Sequence, residues 1–566
     1  MRTFSARLRR ALHFDPEWLH LRATAVTMAT VLGTYGWALL IERTAGLHVD
    51  SVIQAVVIAS SLGRVQRVLD GADRLMACAV LPCAAAGGAE LATLIQRHPT
   101  AGDAVFVLAM AGAIWLRRFG ARATRAGTLL VLPLVAVLVL PGGTGPAGGH
   151  ERTGWAAVMA LVAVVWGSLL TWAARRARLV PRPPAAEVTA AAAGPRRGGV
   201  PASTRMAAQM AAALAAAFTV GRMVWPDHWA WVVLTAFLVG SGARSRADVL
   251  VKGVWRTVGA AVGTVVAGAL AGSFGPRSDA VVVLIFAMLA VATWLRELSY
   301  AYWAGCVTAV LSLLYDWFGQ SPGGLLHTRL AGIAVGAVIG IAASWLVLPI
   351  RTSAAVRAHT AAALAALTEL LEADWHDGRA VHLARARFSH RVGQLAVTTA
   401  PLRILTAPPL PRALSVRRRR GVDALRAEAA LRHCVEPVGD LATAATSAAS
   451  TGSATSAASS TSATSASAVS TSSAPGALAD DPSLRGRRGE VAAHTLAVRR
   501  AIGRRPAPPG APAAAPPAKA RPTGPQAAVA WEALAAIDAQ LDVLTEVFGR
   551  PPIPPASHPA AATARP

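Results

Sequence analysis

The chain is poor in lysine, tyrosine and cysteine. Lysine occurs only at Lys252 and Lys519, so the formal net charge of +25 is carried almost wholly by arginine. The four cysteines are Cys78, Cys83, Cys306 and Cys434, three of them inside apolar runs. None has metal-ligand spacing, which excludes a disulfide framework and a zinc site. No Walker loop, H-E-x-x-H or G-x-S-x-G occurs, so no nucleotide site, enzymatic motif, metal or other cofactor is implied. The string of Gly143, Gly145 and Gly148 has G-x-G-x-x-G spacing but follows no strand, and it is read as chance.

Apolar residues, by contrast, make up 54% of the 566 positions and mean hydropathy is +0.44, although the last third is polar. The first 350 residues or so are therefore far more apolar than a soluble core requires. A helix needs about 20 mostly apolar residues to cross a bilayer. Twelve stretches, from 22–41 to 329–349, meet or approach that length without the period-two alternation of barrel strands. The N-terminus is basic, then apolar, and reads as an uncleaved first span. Trp37, Trp155, Trp172, Trp225, Trp229 and Trp345 sit at the ends of apolar runs, where an amphipathic ring suits the headgroup layer.

The fold class expected is an all-α polytopic membrane protein of about twelve transmembrane helices, with a C-terminal cytoplasmic helical region. With the N-terminus inside, the inward connections hold 24 Lys and Arg and the outward ones 6. That asymmetry sets both chain ends in the cytoplasm, because cations flanking spans are retained there. The arginines are thus topological, and nucleic acid is not an expected partner. The preference for Arg, Ala, Gly and Pro over Lys points to a GC-rich bacterial genome, and the expected site is the plasma membrane.

"AIWLRRFGARATRAGTLL" at 113–130 aligns without a gap on "ATWLRELSYAYWAGCVTA" at 292–309, each placing W-L-R at the cytoplasmic end of a span. Arg74 falls close to Arg256 at a similar offset, and His48 parallels His228. The expectation is two six-helix repeats in the same orientation. The domains read as a basic N-terminus over 1–21, a first repeat over 22–174, a cytoplasmic linker over 175–204 and a second repeat over 205–350. A cytoplasmic helical domain over 351–446 follows, with helices near 379–399 and 421–446. Beyond it lie a low-complexity linker over 447–525, a terminal helix over 526–549 and a disordered tail over 550–566. Arg417 to Arg420 form a basic tetrad suited to anionic headgroups.

The stretch "HWAWVVLTAFLVGSGARSRAD" followed by "RTVGAAVGT" (Arg256, Gly259, Gly263, Thr264) resembles the fusaric acid resistance (FUSC) family of inner-membrane proteins. That family includes aromatic carboxylic acid exporters, with plant aluminium-activated malate channels as distant relatives. The resemblance covers roughly residues 20–350 and implies export of organic acids, without naming a binding residue. With no nucleotide site, uphill export would draw on an ion gradient, most simply of protons. A passive anion channel and a non-transporting scaffold are the alternatives. Expected partners are lipids, a small organic anion and, in a homo-oligomer, further copies of the chain.

Ionisable groups inside lipid are costly, so each is a candidate for transport. Glu90 lies within the third span and reads either as a proton-coupling carboxylate or as a hydrogen-bonded structural one. Arg74 and Arg256 open the third and ninth spans, facing a vestibule or anchoring topology, with "GARSRADVLVK" as a cytoplasmic hinge. Tyr300, Tyr302 and Trp303 begin the eleventh span, to stack on an aromatic acid or to line a lipid belt. Arg329 and Asp316 read as an ordinary solvated loop. Gly259, Gly263, Gly268 and Gly272, and separately Gly332, Gly336 and Gly340, form stripes that let helices pack closely.

Overall fold

A computed structural model describes residues 18–47, 49–66, 69, 71–139, 149–180, 200–243, 245–271, 277–296, 298–319, 322–406, 415–456, 477–503 and 524–549. It is all-helical, with no strand among the described residues. The chain divides into two compact units, Met1–Arg351 and Thr352–Pro566.

The first unit contains α1 (Leu19–Ala45), α2 (Val49–Val65), α3 (Gly71–Arg97), α4 (Pro99–Trp115), α5 (Ala121–Val139) and α6 (Gly149–Arg176). After these come α7 (Ala202–Val224), α8 (Trp229–Gly240), α9 (Arg246–Ala271), α10 (Asp279–Leu295), α11 (Tyr300–Trp317) and α12 (Pro322–Leu346). Among the described residues, eight helices are long and apolar enough to cross a membrane: α1, α3 to α7, α9 and α12. α2, α8 and α10 are shorter apolar helices.

Local chemistry sets many of the ends. α1 stops at Gly46, whose left-handed φ of 65° lets its N–H reach the Glu42 carbonyl. Pro99 starts α4, where a missing N–H costs nothing. The hydroxyls of Ser278 and Ser299 accept from the amides of Ala280 and Ala301 and so cap α10 and α11.

The two runs of six share several helix pairings, although among the described residues α2 on α5 and α3 on α4 occur in the first run alone and α8 on α9 in the second alone. α1 lies on α2 and α6, α2 on α6, α3 on α5 and α6, and α4 on α5. In the second run α7 lies on α8 and α12, α8 on α12, α9 on α11 and α12, and α10 on α11. Between the runs α4 meets α7, α10 meets α1, and α5 meets α8.

Two readings from the sequence need correction here. The proposed hinge before Arg256 is largely helix. Ser245 offers its hydroxyl to the Asp248 amide and its carbonyl to the Val249 amide, so α9 begins at Arg246. Lys252 and Asp248 then pair one turn apart at 3.4 Å, and Arg256 lies well inside the helix instead of opening it. Arg329 is likewise not in a solvated loop, because α12 starts at Pro322 and carries it inward to 6% exposure.

The second unit comprises α13 (Thr352–Glu372), α14 (Gly378–Thr406), α15 (Ser415–His433), α16 (Val435–Ser456), α17 (Ala477–Asp480), α18 (Pro482–Gly503) and α19 (Pro525–Gly549). Its core joins Leu364, Leu367 and Leu371 to Phe388, Leu431, Leu441, Leu534 and Leu541. The helix expected over 421–446 is two helices that break at Cys434. Pro437, in the first turn of α16, has no N–H to continue the earlier ladder.

α18 falls within the stretch read as linker over 447–525, and α16 extends into it as far as Ser456. Leu484, Val491, Val498 and Ile502 give α18 a buried stripe, which packs on α13 and α19. Five arginines along α18 hid that stripe in the composition. α17 and Pro525, the first residue of α19, also fall in that stretch. Linker residues 457–476 and 504–523, the tail over 550–566, Gly272, His48, the glycine string at 143–148 and the side chains of Arg417 to Arg420 lie outside the described residues.

Candidate functional site

A cavity of about 1080 Å³ opens among helices of both runs in the first unit. Its walls are mostly aliphatic, with Val52, Val56 and Val135 from the first run facing Leu234, Val307 and Leu311 from the second. This is the scale and character of a small-molecule site, apolar with a few placed polar groups.

The polar groups gather at the two ends. Glu42 and Arg43 in the last turns of α1 meet Asp279 at the start of α10, close to Tyr35. Tyr35 also packs edge-on against Phe286, with ring centroids 4.9 Å apart, which ties α1 to α10. At the other end of α10, roughly 25 Å away at about 1.5 Å per residue, stands Arg296. Its guanidinium lies 4.6 Å from the Trp303 ring centroid. Arg117 follows α4 and also lines the cavity, its Nε buried with no hydrogen-bond partner. Arg117 and Arg296 are the two arginines of the repeated W-L-R. One end of the cavity therefore offers cations and an aromatic face, and the other offers two carboxylates beside Arg43.

Of the residues singled out from the sequence, Trp303 lines this cavity. Tyr300 stacks on it at 5.4 Å and keeps a buried hydroxyl without a partner, while Tyr302 points outward. Glu90 is exposed outside the cavity and accepts a hydrogen bond from Thr153 of α6. Arg74, near the start of α3, is half-buried, and its Nε and Nη2 have no hydrogen-bond partner.

Arg256 is 2% exposed and lies between α9 and α11. Its Nη1 donates to the Ala304 carbonyl at 3.3 Å and to Thr308 Oγ1 at 3.1 Å. Such a cation costs on the order of 2.5–3.5 kcal/mol at a helix centre on insertion scales, so its retention needs a reason beyond anchoring.

The glycine stripes are seams at most positions. A Cβ at Gly263 would run into the Gly305 carbonyl, and one at Gly259 would press on the Ala301 carbonyl at 2.6 Å. Gly336 sits against the Val232 carbonyl of α8, and Gly340 and Gly332 take the same partner helix more loosely. Gly268 faces open space. Sequence reasoning missed Glu42, Arg43, Asp279, Arg117 and Arg296 as cavity residues. The W-L-R pair was the available signal, because it marks the two arginines that the helix ends bring to one chamber.

The apolar helices make this a multi-pass membrane protein. Residues 210–343, most of the second run, match the family described as fusaric acid resistance protein-like. The match and the apolar helices together give the protein a transporter-like character. No curated protein matches the chain.

Proposed function

We propose that the protein is a plasma-membrane secondary transporter that exports organic acids, aromatic carboxylic acids among them, driven by the proton gradient. In this reading the twelve helices of the first unit all cross the membrane as two parallel six-helix repeats, with both chain ends and the second unit in the cytoplasm. The shared helix pairings support the two repeats, and the excess of inward arginines supports the orientation.

The observation that carries the reading is the cavity between the repeats, apolar along its walls and cationic at the end that this orientation turns to the cytoplasm. An aromatic carboxylate entering there meets Arg117 and Arg296 with its charge and Trp303 with its ring. At the outer end Glu42 and Asp279 repel the anion toward release, and their protonation from outside couples the cycle to the gradient.

The test is efflux of a panel of labelled aromatic and aliphatic acids from cells with and without the protein. Efflux that needs the protein, stops when the proton gradient is collapsed and falls at least tenfold in R117Q/R296Q supports the reading. Protein-dependent flux that survives collapse at fixed voltage makes it a channel. No protein-dependent flux of any acid refutes transport of this class.

A further inference from the structure

The second run of helices buries two arginines that the cavity does not use. Arg256 of α9 and Arg329 of α12 approach one face of α11. Arg256 Nη1 bonds Thr308 Oγ1 at 3.1 Å, and Arg329 Nη1 bonds Ser312 Oγ at 2.6 Å. Thr308 and Ser312 are one turn apart, about 6 Å along the helix. The Ser312 hydroxyl donates to the Thr308 main-chain carbonyl at 2.9 Å, and the Thr308 hydroxyl to the Ala304 carbonyl at 2.8 Å, so each hydroxyl is held on α11 with its oxygen free to accept from a guanidinium.

Neither cation is neutralised. Among the described residues no carboxylate pairs with either, and Arg256 Nε and Arg329 Nη2 are buried donors with no hydrogen-bond partner. Aromatic faces answer part of the charge, since Arg329 lies 5.2 Å from the Trp231 centroid and 5.4 Å from that of Tyr315. They leave the donors unspent, and buried donors in native proteins are nearly always satisfied.

The first run solves the corresponding problem differently. In the gap-free alignment of 113–130 on 292–309, Ala304 stands where Arg125 does and Thr308 where Leu129 does. Arg125 is paired with the buried Asp73 of α3, and Leu129 is core. An acid is thus built into one half, whereas the other half has two cations and hydroxyls in its place.

We propose that the second half holds a site for a small monovalent inorganic anion, between Arg256 and Arg329 on the Thr308–Ser312 face of α11. The site is separate from the cavity, which the opposite face of α11 lines through Val307, Val310 and Leu314. A halide-sized ion takes the orphaned N–H groups and neutralises the pair without occupying the path of a larger acid.

Chloride is the probe. Full-length purified protein in detergent is unfolded by heat while chloride replaces gluconate at constant ionic strength. The expected result is a midpoint that rises and saturates with chloride, with R329Q needing at least tenfold more chloride for the same rise. S312A, which removes only the acceptor that holds Arg329, should need severalfold more, and it carries the comparison if R329Q does not fold. A midpoint indifferent to the chloride–gluconate ratio overturns the proposal. So does a response of the same strength in wild type and in the variant that folds. The readout is independent of efflux, so either reading stands or falls without the other.

Discussion

Arg222 of α7 grips Asp103 of α4 through two parallel hydrogen bonds, Nε to Oδ2 at 2.5 Å and Nη2 to Oδ1 at 2.7 Å. The pair ties the first run of helices to the second, and the Arg222 guanidinium also lies 4.7 Å from the centroid of Trp229. A planar fork on a carboxylate, mostly shielded from solvent, fixes direction as well as distance. Breaking it should therefore cost on the order of 2 kcal/mol, as for other charge-assisted hydrogen bonds. D103N and R222Q should each lower the thermal midpoint by a similar amount, and the double variant should lose little more. A double-mutant cycle on detergent-solubilised protein checks this, and fully additive losses would refute the coupling.

The seam between α9 and α11 makes a sharper steric statement. Gly263 and Gly305 approach so closely that a methyl group at Gly263 meets backbone, which has nowhere to move. G263A should destabilise by about 1–3 kcal/mol, the range for overpacked sites. Gly268 lies on the same helix with nothing within reach of a Cβ, so G268A should be neutral or stabilising by up to about 1 kcal/mol. Size-exclusion profiles after graded heating would rank the two. Equal behaviour would mean that the seam is not tight.

How far these features could be read in advance depended on what each residue has to announce. Apolar runs located most helices of the first unit within a few residues, because length and hydropathy are properties of the segment alone, but they started α9 and α12 nine and seven residues too late. Arg329 and Arg256 were placed too near the surface, because a cation beside a presumed loop looks solvated until the helix is seen to start earlier, at Pro322 or after Ser245. Glu42 and Asp279 come from helices that are distant in sequence, and nothing in either neighbourhood says that they face one chamber. α18 was hidden by its arginines, although Leu484, Val491 and Val498 recur every seven residues.

Cys434 supplies a test of the second unit's core. Fully buried at the junction of α15 and α16, its thiol is pushed up to about 12 by loss of water around the thiolate. At pH 7.5 it should resist a maleimide over hours and label fully once the unit is unfolded. Mass spectrometry of the peptide bearing Cys434 measures this, and rapid labelling in the native protein would show that the α15–α16 junction opens freely.

The start of α18 makes a pH-dependent claim. Burial raises the Asp481 pKa, but the Ser483 hydroxyl and the amides of Leu484 and Ser483 outweigh it and hold the carboxyl below its ordinary value. Pro482 follows, with φ set for a first helical turn, so Asp481 is a charge-bearing N-cap. A pKa depressed by folding stabilises the protein above the unfolded value near 4, and that stability is lost as pH falls through the folded one. At pH 7 D481A should cost about 1 kcal/mol, seen as faster hydrogen exchange of the amides at 483–486 after correction for intrinsic rate. Once the pH falls below the depressed folded pKa, the carboxyl of the wild type is protonated and the two proteins should exchange alike. If D481A already matched wild type at pH 7, the carboxylate would not be holding the helix end.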